Sequence, residues 1–207
     1  MIAYASRTGT RRNLDALRGA GWRLLVSARG VLRHEGFPYA LDNGAWTSYQ
    51  QGQPFDEAAF VRALRLLGSG ADWTVVPDIV SGGAASLDLS LRWMRAVLDE
   101  SPRGMLAVQD GMSVADVRGF LGPRVGLFVG GSTPWKLATM AAWGALGREV
   151  GCWVHVARVN TARRIARCAE AGADSFDGTS ASKFAVTVRP LDGARRQMAL
   201  FAPRKVG

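Results

Sequence analysis

The stretch GADSFDGT, residues 172–179, delivers one carboxylate to the end of a short apolar segment. Ser175-Phe176 reads as the tip of a buried strand, Asp177 stands at its C-terminal end, and Gly178 lets the backbone turn away. The same arrangement recurs upstream. Asp42 closes YALDNGAW, Asp78 follows WTVVP, Gln109 ends MLAVQ, and Gly130-Gly131 ends LFVGG. A parallel barrel builds a site in this way, from polar groups at the C-terminal ends of successive apolar strands.

Working outward, apolar strands are expected at 2–6, 22–28, 39–45, 73–79, 105–109, 126–129, 153–159 and around Ser175-Phe176. Helical patterns lie between most of them. A basic helix over 9–20 turns Leu14 and Leu17 inward. A second, capped by Asp56, repeats Phe60, Leu64 and Leu67. A third over 86–98 lines up Leu87, Leu91, Met94 and Leu98. Ser113 caps a short helix, Pro134 sits in the first turn of another, and Asn160 or Thr161 caps one that runs through Ala171. Residues 29–38 have no helical period, 50–54 read as a polar loop, and 185–189 read as one more strand. Strands that are apolar throughout are covered on both faces. Eight of them alternating with helices predict an α/β fold, a compact (βα)8 TIM barrel forming one domain over 1–207. An open doubly wound parallel sheet is the alternative.

The chain has 207 residues, 48% of them hydrophobic, enough for a sizeable core. No run reaches the ~18 apolar residues of a membrane span, and MIAYASRTGTRRN lacks the apolar region of a signal peptide. A soluble, cytoplasmic protein is expected, in a host cell if the chain is phage-encoded. Cys152 and Cys168 are too few for a disulfide framework or, with two histidines, for a zinc site, so ordinary thiols and no cofactor or metal are expected. Lys plus Arg number 26 against 17 acids, a net charge of +9, and arginine supplies nearly all of the excess. Arginine forks bind phosphate in a bidentate way, which points to a polyanionic partner. Arginine-rich codon usage in a GC-rich genome would give the same balance.

The ordered set DNGAW, PD, AVQDG, FVGGS, HVARVNT and GADSFDG resembles the tRNA-guanine transglycosylase family across 41–179. The chain departs from the family's pattern in reading Asp42-Asn43-Gly44-Ala45-Trp46 for its Asp-Ser-Gly-Gly-Phe turn. It carries Asp110 where the family has glycine, and it lacks the family's cysteine-rich zinc subdomain. In these respects it is more similar to the compact deazaguanine DNA transglycosylases. The resemblance implies that Asp177 is the nucleophile and Asp42 the proton carrier. It implies Asp78 and Gln109 as readers of the base edge, with Asn43, Gly130, Gly131 and Trp46 around the base. DNA would be one partner, with tRNA the alternative, and a free 7-deazaguanine the other.

Each residue also has a plain structural reading. Asn43-Gly44 makes a turn, Asp78 and Asp177 cap loops, Gly130-Gly131 turns a strand into a helix, and Trp46 fills the core. His155 reads as a satisfied core histidine, and His34 falls in a loop. Arg7, Arg11 and Arg12, with Arg158, Arg163 and Arg164, are the expected phosphate contacts because their segments flank the proposed mouth. A non-catalytic nucleic-acid-binding barrel is the reading of another class, and a barrel whose acids hold a metal is a further one. Oligomeric state is open at this point.

Overall fold

The computed structural model describes residues 1–7 and 10–199. Eight parallel strands close in sequence order into a barrel. They are β1 (Ile2–Ser6), β2 (Arg23–Ser27), β3 (Tyr39–Asp42), β4 (Thr74–Val75), β5 (Gly104–Val108), β6 (Val125–Val129), β7 (Val154–Val156) and β8 (Ser175–Gly178). Closure is made by β8 on β1, with Tyr4 opposite Asp177. The helices are α1 (Arg11–Gly19), α2 (Ala45–Gln50), α3 (Glu57–Leu67), α4 (Ala84–Glu100), α5 (Val114–Val117), α6 (Thr133–Val150), α7 (Ala162–Ala171), α8 (Ser180–Lys183) and α9 (Ala185–Ala199). The compact (βα)8 reading therefore holds and the open sheet does not. Of the residues expected in the first helix, Gly9 lies outside the described residues, as do the basic Arg204 and Lys205. No described helix is long and apolar enough to cross a membrane.

Alternation along each strand splits the core in two. Outward-facing Leu24, Val26, Leu106, Val108, Leu127, Val129, Val154 and Val156 pack against Leu17, Phe60, Val97, Trp143 and Ile165 of the helices. Inward-facing Tyr4, Leu25, Ala40, Trp73, Val75 and Met105 fill the lumen with Phe128 and Trp153. With both faces covered, polar residues in the strands are few, which is why they read as continuous apolar runs. The expected caps are in place: Asp56 accepts from the Ala59 N–H and Thr161 from that of Arg164. Ser113 and Asp116 form a capping box. Cys152 and Cys168 are buried and form no disulfide.

Two segments differ from expectation. Residues 185–189 are the start of α9, not a strand. Val186, Thr187 and Val188 favour a sheet, but a closed barrel has no edge to accept another strand. The segment instead covers the gap between α1 and α7, where Val188 and Leu191 are buried. The Trp22 indole donates to Asp192 across this contact at 3.2 Å. Ala45 belongs not to β3 but to α2, which runs to Gln50. The Asn43 side chain accepts from the Ala45 N–H at 2.8 Å, and Gly44 adopts φ +83°, so the chain turns from strand to helix at once.

Helices α6 and α7 touch at Gly144. A Cβ there would lie 1.8 Å from the Ala171 carbonyl oxygen, which is backbone and cannot rotate away. Gly144→Ala is therefore expected to lower stability by about 1–3 kcal/mol, although alanine is the better helix former. Urea denaturation measures this, and an unchanged or raised midpoint would contradict the packing described.

Candidate active site at the C-terminal mouth

The C-terminal ends of the strands gather the acids on one face. Asp42 is the last residue of β3, Asp78 lies just past β4, Gln109 follows β5, Gly130 follows β6, and Asp177 lies within β8. Asp42 and Asp78 are half-buried, whereas Asp177 is only 4% exposed. Burial pushes Asp42 up to about 6, and the Asp78 and Asp177 charges push in the same direction. Burial likewise raises Asp78 to about 6, although a hydrogen bond from Asn43 opposes it. Two carboxyls thus titrate close to neutral pH at one end of the barrel, where groups that exchange protons with a substrate are useful.

Asp177 is held from inside the barrel. Its Oδ1 lies 3.0 Å from His155 Nε2 and accepts the Arg158 backbone N–H at 3.2 Å. His155 Nδ1 is 2.9 Å from Ser175 Oγ, which accepts the Trp153 indole N–H at 2.9 Å. With the ring neutral and Asp177 ionised, one proton pattern satisfies this chain. An indole N–H only donates and a carboxylate only accepts. His155 therefore carries its proton on Nε2, and the Ser175 hydroxyl donates to Nδ1. Burial lowers the His155 pKa, against the pull of Asp177, which favours the neutral ring. The imidazole is packed by Phe128 at 5.0 Å, Trp73 at 4.7 Å and Tyr4 at 5.8 Å between ring centres, so it has little room to turn. Asp177 Oδ2 accepts no hydrogen bond from the described residues.

The other expected residues divide into those that face the mouth and those that brace it. The Asn43 amide donates to Asp78 at 2.7 Å and to the Val76 carbonyl at 2.8 Å, which makes it a brace for Asp78. Gln109 is 4% exposed. Its amide accepts the Ser81 N–H and donates to the Ile79 carbonyl and Ser86 Oγ, each at 2.8 Å. Both ends of that amide are spent on the loop after β4. Gly131 has φ +68°, and a Cβ would meet Asp110 Oδ2 at 2.6 Å and the Trp135 ring at 2.7 Å. Asp110 accepts both the Ser132 N–H and its hydroxyl at 2.6 Å, pinning the loop after β6.

Trp46 is not core, as its type suggested. It lies in the first turn of the rim helix α2, 39% exposed, and its ring is stacked on Tyr49. The Arg158 guanidinium lies over its other neighbourhood, 4.5 Å from the ring centre, and also donates to the Gly131 carbonyl. β3 and β7 are opposite in a ring of eight, so this contact spans the mouth. Arg158 manages the span with φ +58°, a conformation uncommon outside glycine. Among the other expected arginines, Arg11, Arg12 and Arg163 are exposed on the first turns of α1 and α7, and Arg164 is half-buried beside them. Arg7 is half-buried and tied to Glu35.

His155 was read from sequence as a satisfied core residue. It is buried and satisfied, but its partner is Asp177. The alternation Trp153, His155 and Ser175, Asp177 marks one face of two neighbouring strands and could have paired them. Lys136, 4% exposed on α6, carried no signal in its own segment. Among the described residues, no three His, Cys, Asp or Glu side chains are grouped to hold a metal ion. Compared with known proteins, the chain matches no family model and no curated sequence.

The raised carboxyls have a thermodynamic consequence with a fixed sign. In the unfolded chain both titrate near 3.9, and in the fold near 6, so between these values the native state holds more protons. Stability therefore falls as pH rises from about 4 through 6. Asp42→Asn and Asp78→Asn keep the oxygen that accepts from Gly44 or Asn43 and remove the charge. Each is expected to stabilise the fold at pH 7.5 by on the order of 1–3 kcal/mol, with the gain gone near pH 4. Thermal melts at the two pH values decide this, and a gain equal at both would show that burial of charge is not the cause.

Proposed function

We propose that this barrel is a DNA-guanine transglycosylase, replacing guanine in DNA with a 7-deazaguanine base of the preQ0 type. The observation that carries the reading is the state of Asp177: one oxygen is held by two N–H donors, the other accepts none from the described residues, and Asp42, pushed up to about 6, feels its charge. The ordered motifs at the strand tips support the same chemistry.

The target base has to leave the stack to reach a site at the bottom of a barrel mouth. Asp177 Oδ2 attacks C1′ and the bond from C1′ to the base nitrogen breaks. The electron pair leaves with the base, and Asp42 supplies its proton. The sugar stays joined to Asp177 as an ester. The incoming base gives a proton back to Asp42, its nitrogen attacks C1′, and the Asp177 carboxylate is released. Two inversions retain the configuration. Asp78, steadied by Asn43, accepts from the N–H groups on the base edge. The backbone around Gly130 and Gly131 comes close to the base because no side chain intervenes. Trp46 offers a ring face at the rim. Gln109 acts at one remove, by holding the loop that carries Asp78.

Exposed Arg11, Arg12 and Arg163 surround the β8 side of the mouth, where strand phosphates would run. Binding to duplex DNA is expected to weaken steeply with salt, as counterions released by arginine contacts are paid back. Arg158→Ala with Arg163→Ala should flatten the slope of log affinity against log salt by about one unit per lost contact. Fluorescence anisotropy at several salt concentrations gives that slope, and an unchanged slope would leave codon usage as the source of the charge.

The decisive experiment follows labelled guanine into DNA and, in parallel, into tRNA. Wild type should exchange the base in DNA; exchange in tRNA alone would reassign the substrate. Asp177→Asn keeps an oxygen for both N–H donors, so the fold and DNA binding should persist while exchange is lost. Asp42→Asn should slow both base departure and base entry, and a covalent band on a denaturing gel should still form slowly. A band that survives in Asp177→Asn and disappears in Asp42→Asn would reverse the two roles. Full exchange in both variants would remove the proposal.

A further inference from the structure

We infer that Lys136, buried on α6 outside the barrel wall, is a positioning residue for Asp177, acting through the peptide between Ala157 and Arg158. The inference rests on the reading of Asp177 as nucleophile. Lys136 donates its ammonium to the Ala157 carbonyl. The Arg158 N–H of the same peptide donates to Asp177 Oδ1 at 3.2 Å. A trans peptide points its C=O and N–H in opposite directions, and no peptide among the described residues is cis. The cation on one side therefore aims the donor on the other side at the carboxylate. Charge on the carbonyl oxygen also strengthens the N–H as a donor, by roughly 10–30% per linked bond.

The local backbone shows what the ammonium secures. Arg158 has φ +58°, and only in this turn does its N–H face into the mouth while its side chain crosses to Trp46. Ala157 N–H is given to Val129 and Val159 N–H to the Asp177 carbonyl, and among the described residues the Ala157 carbonyl accepts from Lys136. A lysine this deeply buried has no use in packing that methionine would not serve better. Around the ammonium stand Asp177, Cys168, Arg158 and Arg164, with His155 beyond. The arginines keep their charge at all working pH values, and burial pushes the Cys168 thiol up to about 12. Burial lowers Lys136 to about 8, so it is the cation of this group that loses its charge just above neutrality.

The test reads the Arg158 amide by NMR, with no substrate present. In wild type its proton resonance is expected to move upfield as pH rises from 7 to 9, with a midpoint near 8. In Lys136→Met the resonance should start at the upfield position and stay there. Base exchange by Lys136→Met should show kcat lowered about ten-fold, the worth of one supporting hydrogen bond, with KM for DNA unchanged. Its melting temperature at pH 7 should change little, because removal of a costly buried charge offsets the lost donor to the Ala157 carbonyl. A flat wild-type titration, or wild-type kcat in Lys136→Met, would overturn the inference. Should Lys136→Met fail to fold, the wild-type titration decides alone. A responsive amide in a protein that exchanges no base would leave the coupling standing and refute only the role given to Asp177.

Discussion

Burying a carboxylate at the top of a lumen full of aromatic rings is the constraint on which the rest depends. An ionised group removed from water is costly unless donors replace the water. The lumen offers few, because Tyr4, Trp73, Phe128 and Met105 occupy it and the Tyr4 hydroxyl is given to Asp72. Asp177 is rescued by two routes. One rises through the barrel from Trp153 by Ser175 and His155, and the other enters from the helix layer by Lys136 and a peptide. Both deliver to Oδ1. Among the described residues, the donors that offset the cost of burial therefore all meet one oxygen, and Oδ2 receives none.

The remaining acids are treated differently, and the difference is what makes a set of them useful. Asp42 and Asp78 sit in environments whose burial pushes them up toward neutral pH, against the hydrogen bonds they accept. The same environments cost stability, and the fold recovers it elsewhere. Its helices pack closely, as at Gly144 against α7, and α9 seals the last gap in the outer ring. Gln109, Asn43 and Asp110 are spent on bracing loops, so the mouth is kept in shape by polar residues that do no chemistry themselves.

Strand positions and the face that carries the acids were legible because closed parallel sheets write both as plain patterns. Apolar runs mark the strands, and a polar residue at each run's end marks the mouth. Residues 185–189 misled because β-branched residues express a local preference, and whether an edge exists to satisfy it is a property of the whole barrel. Ala45 misled because a helix of a few residues has no period to read, and its start depends on one side-chain hydrogen bond from Asn43. Trp46 looked like core because of its size, but its place on a rim helix is set by that same turn. His155 was visible as buried, but its pairing was not, since its partner lies twenty-two positions away on the next strand. Lys136 lies farther from any signal: nothing near it in sequence indicates that a peptide will stand between it and a carboxylate.

Arg158 is where these demands meet, and it explains why a residue with a Cβ tolerates a turn better suited to glycine. For an L-residue the left-handed conformation costs roughly 1–2 kcal/mol. Glycine would remove that cost, but it would also remove the side chain that spans from β7 to Gly131 and Trp46. The strain is therefore held in place from three directions: Lys136 on the preceding carbonyl, Asp177 on its own N–H, and Trp46 with Gly131 on the guanidinium. The result is a planar cation laid on the face of an indole across the mouth, from the β7 side to the β3 side.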